Sequence, residues 1–240
     1  MRINKYLARC GIGSRRDCDE YIKNKQIKVN GKILDDFSYS VKDNDCVQYK
    51  NKNINFIVED YIYIVNKPVG YMCTSDDPKG RKKIIDLIPT NVRLFNIGRL
   101  DYNSTGIILL TNNGDIANKL LHPSNQIVKK YYVESKKKLT RKNIEAIEKG
   151  LIIPDIGKVQ AEIRLLESSK DSFIWDVILR EGKNREIRRI FSFLNNQIDK
   201  IHRYNFGGIK LGNIKSGKYK RISYKDFNKF LISEKNNKCV

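Results

Sequence analysis

The stretch Asn96-Ile97-Gly98-Arg99-Leu100-Asp101-Tyr102-Asn103-Ser104-Thr105-Gly106-Ile107-Ile108-Leu109-Leu110-Thr111-Asn112-Asn113-Gly114-Asp115 places one carboxylate, Asp101, between two glycine breaks. Gly98 and Gly106 allow tight backbone turns and a close approach of a large substrate to the main chain. Ile107 to Leu110 is a β-branched and aliphatic run of the kind that fills a buried strand. An acid on a loop beside such a strand is well placed for chemistry. An Asp in a glycine-flanked turn is also common as plain turn structure, because its side chain bonds the nearby backbone. Spacing alone leaves both readings open.

Working outward, Asp115 to Leu121 continues as a short amphipathic helix. Upstream, Asp60 to Val65 reads as a strand ended by Asn66-Lys67-Pro68-Val69-Gly70, followed by a basic loop, Asp76 to Lys83, and a helix-like Ile84 to Leu87. Downstream, Lys129 to Glu134, Val159 to Leu166 and Phe173 to Leu179 read as strands, with a charged helix from Thr140 to Lys149. Asn184 to Phe193 is helical, with Ile187, Ile190, Phe191 and Leu194 on one face and Arg185, Arg188 and Arg189 elsewhere. Strands and helices without regular βαβ alternation predict an α+β fold with a mixed, mostly antiparallel sheet flanked by helices. No internal repeat is present.

Residues 1–50 read as a separate small module of helix, helix and hairpin. Ile3, Leu7 and Ala8 keep helical spacing, and Gly11-Ile12-Gly13 closes that segment. Ser14 with Asp17 three residues on forms a capping-box pattern for a helix from Arg15 to Lys25. Asn30-Gly31, between Ile27-Lys28-Val29 and Lys32-Ile33-Leu34, is a hairpin signature. The module presents Lys5, Arg9, Arg15, Arg16, Lys23, Lys28 and Lys32. Polar, aperiodic residues at 51–57 serve as a linker, the larger domain spans 58–233, and 234–240 form a polar tail.

A net charge of +20 and a pI near 9.7 over 240 residues favour a polyanionic partner, nucleic acid first among them. Lys outnumbers Arg 32 to 15, as an AT-rich genome would give, but such drift does not explain the shortage of acids. Cys10, Cys18, Cys46, Cys73 and Cys239 are odd in number and form no C-x-x-C pair. With only His122 and His202 available, no metal site is expected, and free thiols in a reducing compartment are. The amino terminus lacks a signal-peptide core, and no apolar run approaches the roughly 20 residues of a membrane span. A soluble, cytoplasmic monomer is therefore expected.

Four islands, in order, carry a family resemblance: Asn66-Lys67-Pro68-Val69-Gly70; Gly98-Arg99-Leu100-Asp101 with the Thr-Gly and Asn-Gly-Asp that follow; Lys129-Lys130-Tyr131-Tyr132-Val133; and Glu181-Gly182-Lys183-Asn184-Arg185-Glu186-Ile187-Arg188-Arg189. Together they resemble the ribosomal RNA pseudouridine synthases of the single-site branch. The first fifty residues resemble the RNA-binding module first described in the fourth protein of the small ribosomal subunit. The resemblance runs to about Ile222. Cys73 to Arg81 and Glu181 to Arg185 look more like the large-subunit enzymes. The alternatives are a small-subunit enzyme and a ribosome-assembly protein that binds rRNA without chemistry.

The resemblance implies cleavage of a uridine N-glycosidic bond and rejoining of the uracil through a ring carbon, with no cofactor. It assigns Asp101 as the catalytic carboxylate; attack on the sugar, attack on the base and proton removal all ask for an ionised acid. Arg188 matches the basic residue that pairs with this Asp and fixes its direction, although by itself it reads as a solvated helix arginine. Tyr131 matches the aromatic that stacks on the target base. Such stacking is worth roughly 1–3 kcal/mol per base, against the few kcal/mol lost when a base leaves its stack. Read alone, it is an ordinary strand aromatic, with Tyr132 on the opposite face. Arg99 is expected to fill the space left by the flipped base or to hold a phosphate, Lys67 to serve phosphate or loop structure, and Leu211 to floor the uracil. The basic residues of the first module would meet phosphates. Glu186 departs from the family pattern, where Gln is frequent, and brings negative charge near the site.

Overall fold

A computed structural model describes residues 1–236, and side chains through residue 230. The chain divides into two compact units. One comprises Met1–Tyr61 with Thr90–Leu94 and Asn112–Gly114; the other comprises Ile62–Pro89, Phe95–Thr111 and the chain from Asp115 onward.

In the first unit, α1 (Ile3–Arg9) and α2 (Arg15–Lys23) precede β1 (Ile27–Val29), β2 (Lys32–Ile33), β3 (Val47–Tyr49) and β4 (Lys52–Asn53). The capping box forms as read: Ser14 Oγ accepts from Asp17 N at 3.1 Å, and Asp17 Oδ2 accepts from Ser14 N at 2.7 Å. Asn30 and Gly31 both take positive φ, which the tight β1–β2 hairpin requires. The sheet then continues further than the sequence reading, in the antiparallel order β2-β1-β3-β4. Lys50 and Asn51, which carry no glycine signal, turn the chain at φ 48° and 64°, so residues read as linker pair as a strand. Ile3, Leu7, Cys18, Ile22, Ile27 and Val47 fill the core, each large aliphatic contributing about 1.5–3 kcal/mol.

The second unit contains β5 (Ile62–Lys67), a 3-10 turn at Ile84–Leu87, β6 (Phe95–Ile97), β7 (Thr105–Thr111), α3 (Gly114–Leu121), β8 (Lys129–Ser135), α4 (Arg141–Lys149), β9 (Leu151–Ile153), β10 (Gly157–Val159), β11 (Glu162–Ser168), β12 (Phe173–Leu179), α5 (Glu186–Phe193), β13 (Ile198–Phe206), β14 (Ile209–Lys210), β15 (Tyr219–Ile222) and α6 (Tyr224–Asn236). Its large sheet runs β11-β12-β8-β13-β7-β5-β15, with β14 on β13 and β6 on β7. Only the central β7–β13 pair is parallel, so the sheet is mixed and mostly antiparallel. β7 is buried from Gly106 to Thr111, as its apolar run requires. Trp175 is buried on β12 and donates from Nε1 to Ser135 Oγ at 2.9 Å.

Gly106 corrects one expectation. Its φ is +108°, and a Cβ there would overlap the Arg203 backbone. The glycine admits the neighbouring strand rather than a substrate. The run read as one strand from Val159 to Leu166 is split, because β10 turns back on β9 and β11 begins afresh at Glu162. β13, the longest strand, lies where the sequence pattern predicts no element. α6 carries the chain to Asn236, past the start of the expected polar tail; residues 237–240, Cys239 among them, lie outside the described residues. Cys10, Cys18, Cys46 and Cys73 are free thiols. No helix of the described residues is long and apolar enough to cross a membrane.

Candidate active site

Asp101 lies on the loop between β6 and β7, and that loop is fixed from behind. Ser104 N donates to Asp101 O at 3.0 Å, closing a turn, and Gly70 N donates to Tyr102 O at 3.0 Å. Leu100 is buried, and its N–H points at Cys73 Sγ at 3.4 Å. The Lys67 ammonium donates to Pro68 O, Tyr102 O and Ser104 O at 3.0, 3.2 and 2.8 Å. Lys67 is fully buried, and that burial pulls its pKa below the ordinary lysine value, with Cys73 and Asp101 opposing the shift. Of the two roles considered for Lys67, the geometry favours loop structure over phosphate binding.

The carboxylate meets two guanidinium groups from one helix. Arg188 Nε donates to Asp101 Oδ2 at 3.2 Å, and Arg185 Nη1 lies 3.5 Å from the same oxygen. Arg188 sits in the first turn of α5, and Arg185 immediately precedes that turn. Arg185 is the N-cap, in left-handed backbone at φ 52°. The Glu186 side chain folds back to accept from Lys183 N at 3.0 Å. Glu186 is buried, and desolvation raises its pKa, aided by Glu181 and opposed by the Lys183 N–H and by the charges of Lys183 and Lys129.

Asp101, Arg188, Tyr131 and Arg99 line one cavity of ≈ 200 Å³. Tyr131, buried on β8, faces it, while Tyr132 lies on the opposite face, stacked on Tyr204 with centroids 4.2 Å apart. Arg99 is exposed and also borders the adjoining groove formed by Met72–Asp77, Tyr102 and Gly182–Arg185. Leu120, Leu121, Leu179, Ile187, Ile201 and Phe206 supply the apolar wall. A hollow walled on one side by apolar side chains and on the other by charged groups converging on Asp101 suits one flat polar heterocycle.

Leu211 is a correction. It packs against the core cluster of Ile62, Ile64, Phe206 and Ile209 rather than lining the cavity. Arg9 is a second. It is buried in the first unit, donates to Ile57 O at 3.2 Å and Asp60 Oδ1 at 3.1 Å, and lies over the Phe56 ring. Its charge is spent internally, so it does not meet phosphate. Arg15, Arg16, Lys23 and Lys32 are exposed, and Lys5 and Lys28 half-buried. The sequence reading missed Arg185 as a second partner of Asp101, although its spacing from Arg188 was available. It also missed Arg203, whose strand it did not recognise.

Comparison with known proteins gives a consistent result. Residues 61–193 match the RNA pseudouridylate synthase family, and residues 1–47 match the S4 domain. The chain is 36% identical to an uncharacterized RNA pseudouridine synthase of Borreliella burgdorferi, across 95% of this chain and 92% of that one. It is 31% identical to ribosomal large subunit pseudouridine synthase B of Bacillus subtilis, across 92% of both. A solved pseudouridylate synthase shares the fold with a TM-score of 0.69 and 22% identity, across 96% of this chain and 99% of that one.

Proposed function

The chain belongs to the RNA pseudouridylate synthase family, an isomerase family acting on RNA, and from that premise we propose that it converts a uridine of large-subunit ribosomal RNA to pseudouridine with Asp101 as the catalytic carboxylate. The observation that carries this reading is the Asp101–Arg188 pair on the cavity that Tyr131 also lines. The extruded uridine enters that cavity, its base lies against the Tyr131 ring, and Asp101 acts on it while Arg185 and Arg188 fix the direction of the carboxylate. Arg99, exposed at the cavity and groove, holds a phosphate or fills the gap left in the RNA. The S4 unit adds affinity through Arg15, Arg16, Lys23 and Lys32, which meet phosphates and leave target choice to RNA shape and the pocket. The large-subunit assignment rests on the relatives from Bacillus subtilis and Buchnera aphidicola that carry that name, the latter 34% identical.

The test is tritium release from rRNA labelled at uridine carbon 5, isolated from cells lacking the gene. Release from large-subunit rRNA is expected. Release from small-subunit rRNA alone assigns the other substrate, and full retention in both leaves an RNA binder without chemistry.

A further inference from the structure

Four buried side-chain atoms of the described residues have no hydrogen-bond partner, and three belong to residues lining the candidate active site: Glu186 Oε1, Arg188 Nη2 and Arg203 Nη2. Arg188 already faces Asp101. Arg203 forms no ion pair among the described residues, and the Asp101 carboxylate on the same cavity is held by Arg188 and Arg185. Arg203 is nevertheless 2% exposed. A buried guanidinium without an anion is costly, and a structure keeps one where something supplies the missing acceptor.

The rest of the Arg203 side chain is held still. Its Nε donates to Ile107 O at 2.8 Å, and its guanidinium lies 4.6 Å over the centre of the Phe206 ring. Arg203 is the direct cross-strand partner of Tyr131 between β13 and β8, so both side chains leave the same face of the sheet as close neighbours. The close approach of Gly106 sets the strand that carries it. One anchored nitrogen, one covered face and one orphaned Nη2 describe a preorganised donor beside the ring against which the base lies.

We propose that Arg203 is a substrate-contacting residue whose Nη2 donates to a carbonyl oxygen of the extruded uracil and stabilises the charge that gathers there during the reaction. The inference rests on the function proposed above. When the N1–C1′ bond breaks, its electron pair stays with the base, and the negative charge spreads over N1 and the two carbonyl oxygens. Carbon 5 then bonds to C1′ and loses its proton, N1 gains one, and the base is neutral again. A fixed cation at a carbonyl oxygen therefore binds the intermediate more strongly than the neutral ground state. The RNA phosphates are the competing acceptors; a deep position on the sheet floor, next to the base-facing ring, favours the base.

The experiment compares wild type with Arg203→Gln, Arg203→Lys and Arg203→Ala, reading tritium release and RNA affinity over a range of salt. Expected are a fall in kcat of about 10²-fold, unchanged affinity and salt slope, and partial recovery of Arg203→Ala by added guanidinium ion. Lost affinity with a shallower salt slope makes Arg203 a phosphate contact and overturns the proposal, as does an unchanged kcat. A second arm uses only wild-type enzyme, on rRNA carrying 2-thiouridine or 4-thiouridine, because sulfur is the weaker acceptor. One thio-substitution should slow turnover, and equal rates on all three RNAs overturn the proposal even if every variant misfolds. Wild-type enzyme inert on ordinary uridine defeats the function reading and this inference together.

Discussion

Lys67 and Arg203 are both fully or almost fully buried cations on strands of the same sheet, yet they are held in opposite ways. The Lys67 ammonium has its three donors matched by three backbone carbonyls. Arg203 has one nitrogen anchored, one face covered by an aromatic ring and one nitrogen with no partner in the protein. A cation whose donors are all matched is a structural part, because nothing is left for a ligand to take. A cation left one acceptor short lines a cavity that a ligand can fill. Arg9 belongs with Lys67 on this criterion, and Arg188, with an orphaned Nη2 of its own, belongs with Arg203.

The largest effect belongs to the carboxylate that the cavity arginines surround. Asp101→Asn should lower pseudouridine formation by at least about a thousand-fold, with RNA binding retained. A variant that still modified rRNA would remove the catalytic role and, with it, the ligand side of the comparison. The next effect tests the structural side. Lys67→Met keeps most of the buried stem but strands the Pro68 and Ser104 carbonyls, while Tyr102 O keeps its bond from Gly70 N, and it should cost about 2 kcal/mol of stability, read by chemical unfolding. The salt slope of RNA binding should not change. If Lys67 met a phosphate, the slope would fall by about 0.9.

Exposed and buried arginines of the S4 unit extend the same contrast at smaller size. The double variant Arg15→Ala and Arg16→Ala should reduce the slope of log affinity against log salt by about 2, close to 0.9 per phosphate contact, while leaving the melting temperature in place. Arg9→Met should do the reverse, losing stability because Asp60 loses its counter-ion and Ile57 O its donor, and leaving the slope alone. Equal slopes for all three proteins would mean that this surface meets no RNA.

Much of this was legible in the residues, for physical reasons. Ser14 with Asp17 announced a helix start because the two groups satisfy each other's backbone donors. Ile107 to Leu110 announced a buried strand by being apolar on both faces. β13 was invisible because the side chains it buries include Arg203 and Asn205, so its alternation reads as polar noise. Lys50-Asn51 hid a turn because lysine rarely takes positive φ. At the site, Asp101, Arg188 and Tyr131 were named from motif order, and the structure brings them to one cavity. Leu211 and Arg9 were misplaced because apolar and basic residues near a motif look alike whether they face a ligand or the core.

Glu186 sharpens the comparison from the acidic side, with the smallest effect. Its Oε2 is held by Lys183 N, and its Oε1 is buried without a partner. Burial raises its pKa in the folded protein. The folded state therefore holds this proton more tightly than the unfolded chain. Below the unfolded value both states are protonated, and the group costs nothing extra. As pH rises from about 4.5 through the folded value, the folded state must carry a poorly solvated charge, and stability is lost. Glu186→Gln removes that charge while retaining an oxygen for Lys183 N. The thermal midpoints of the two proteins should lie close together near pH 4 and separate as pH rises, with the glutamine form the more stable at neutral pH. A difference that stays constant with pH would mean that Glu186 finds a partner for its charge in solution, and that it belongs with the satisfied groups, alongside Lys67.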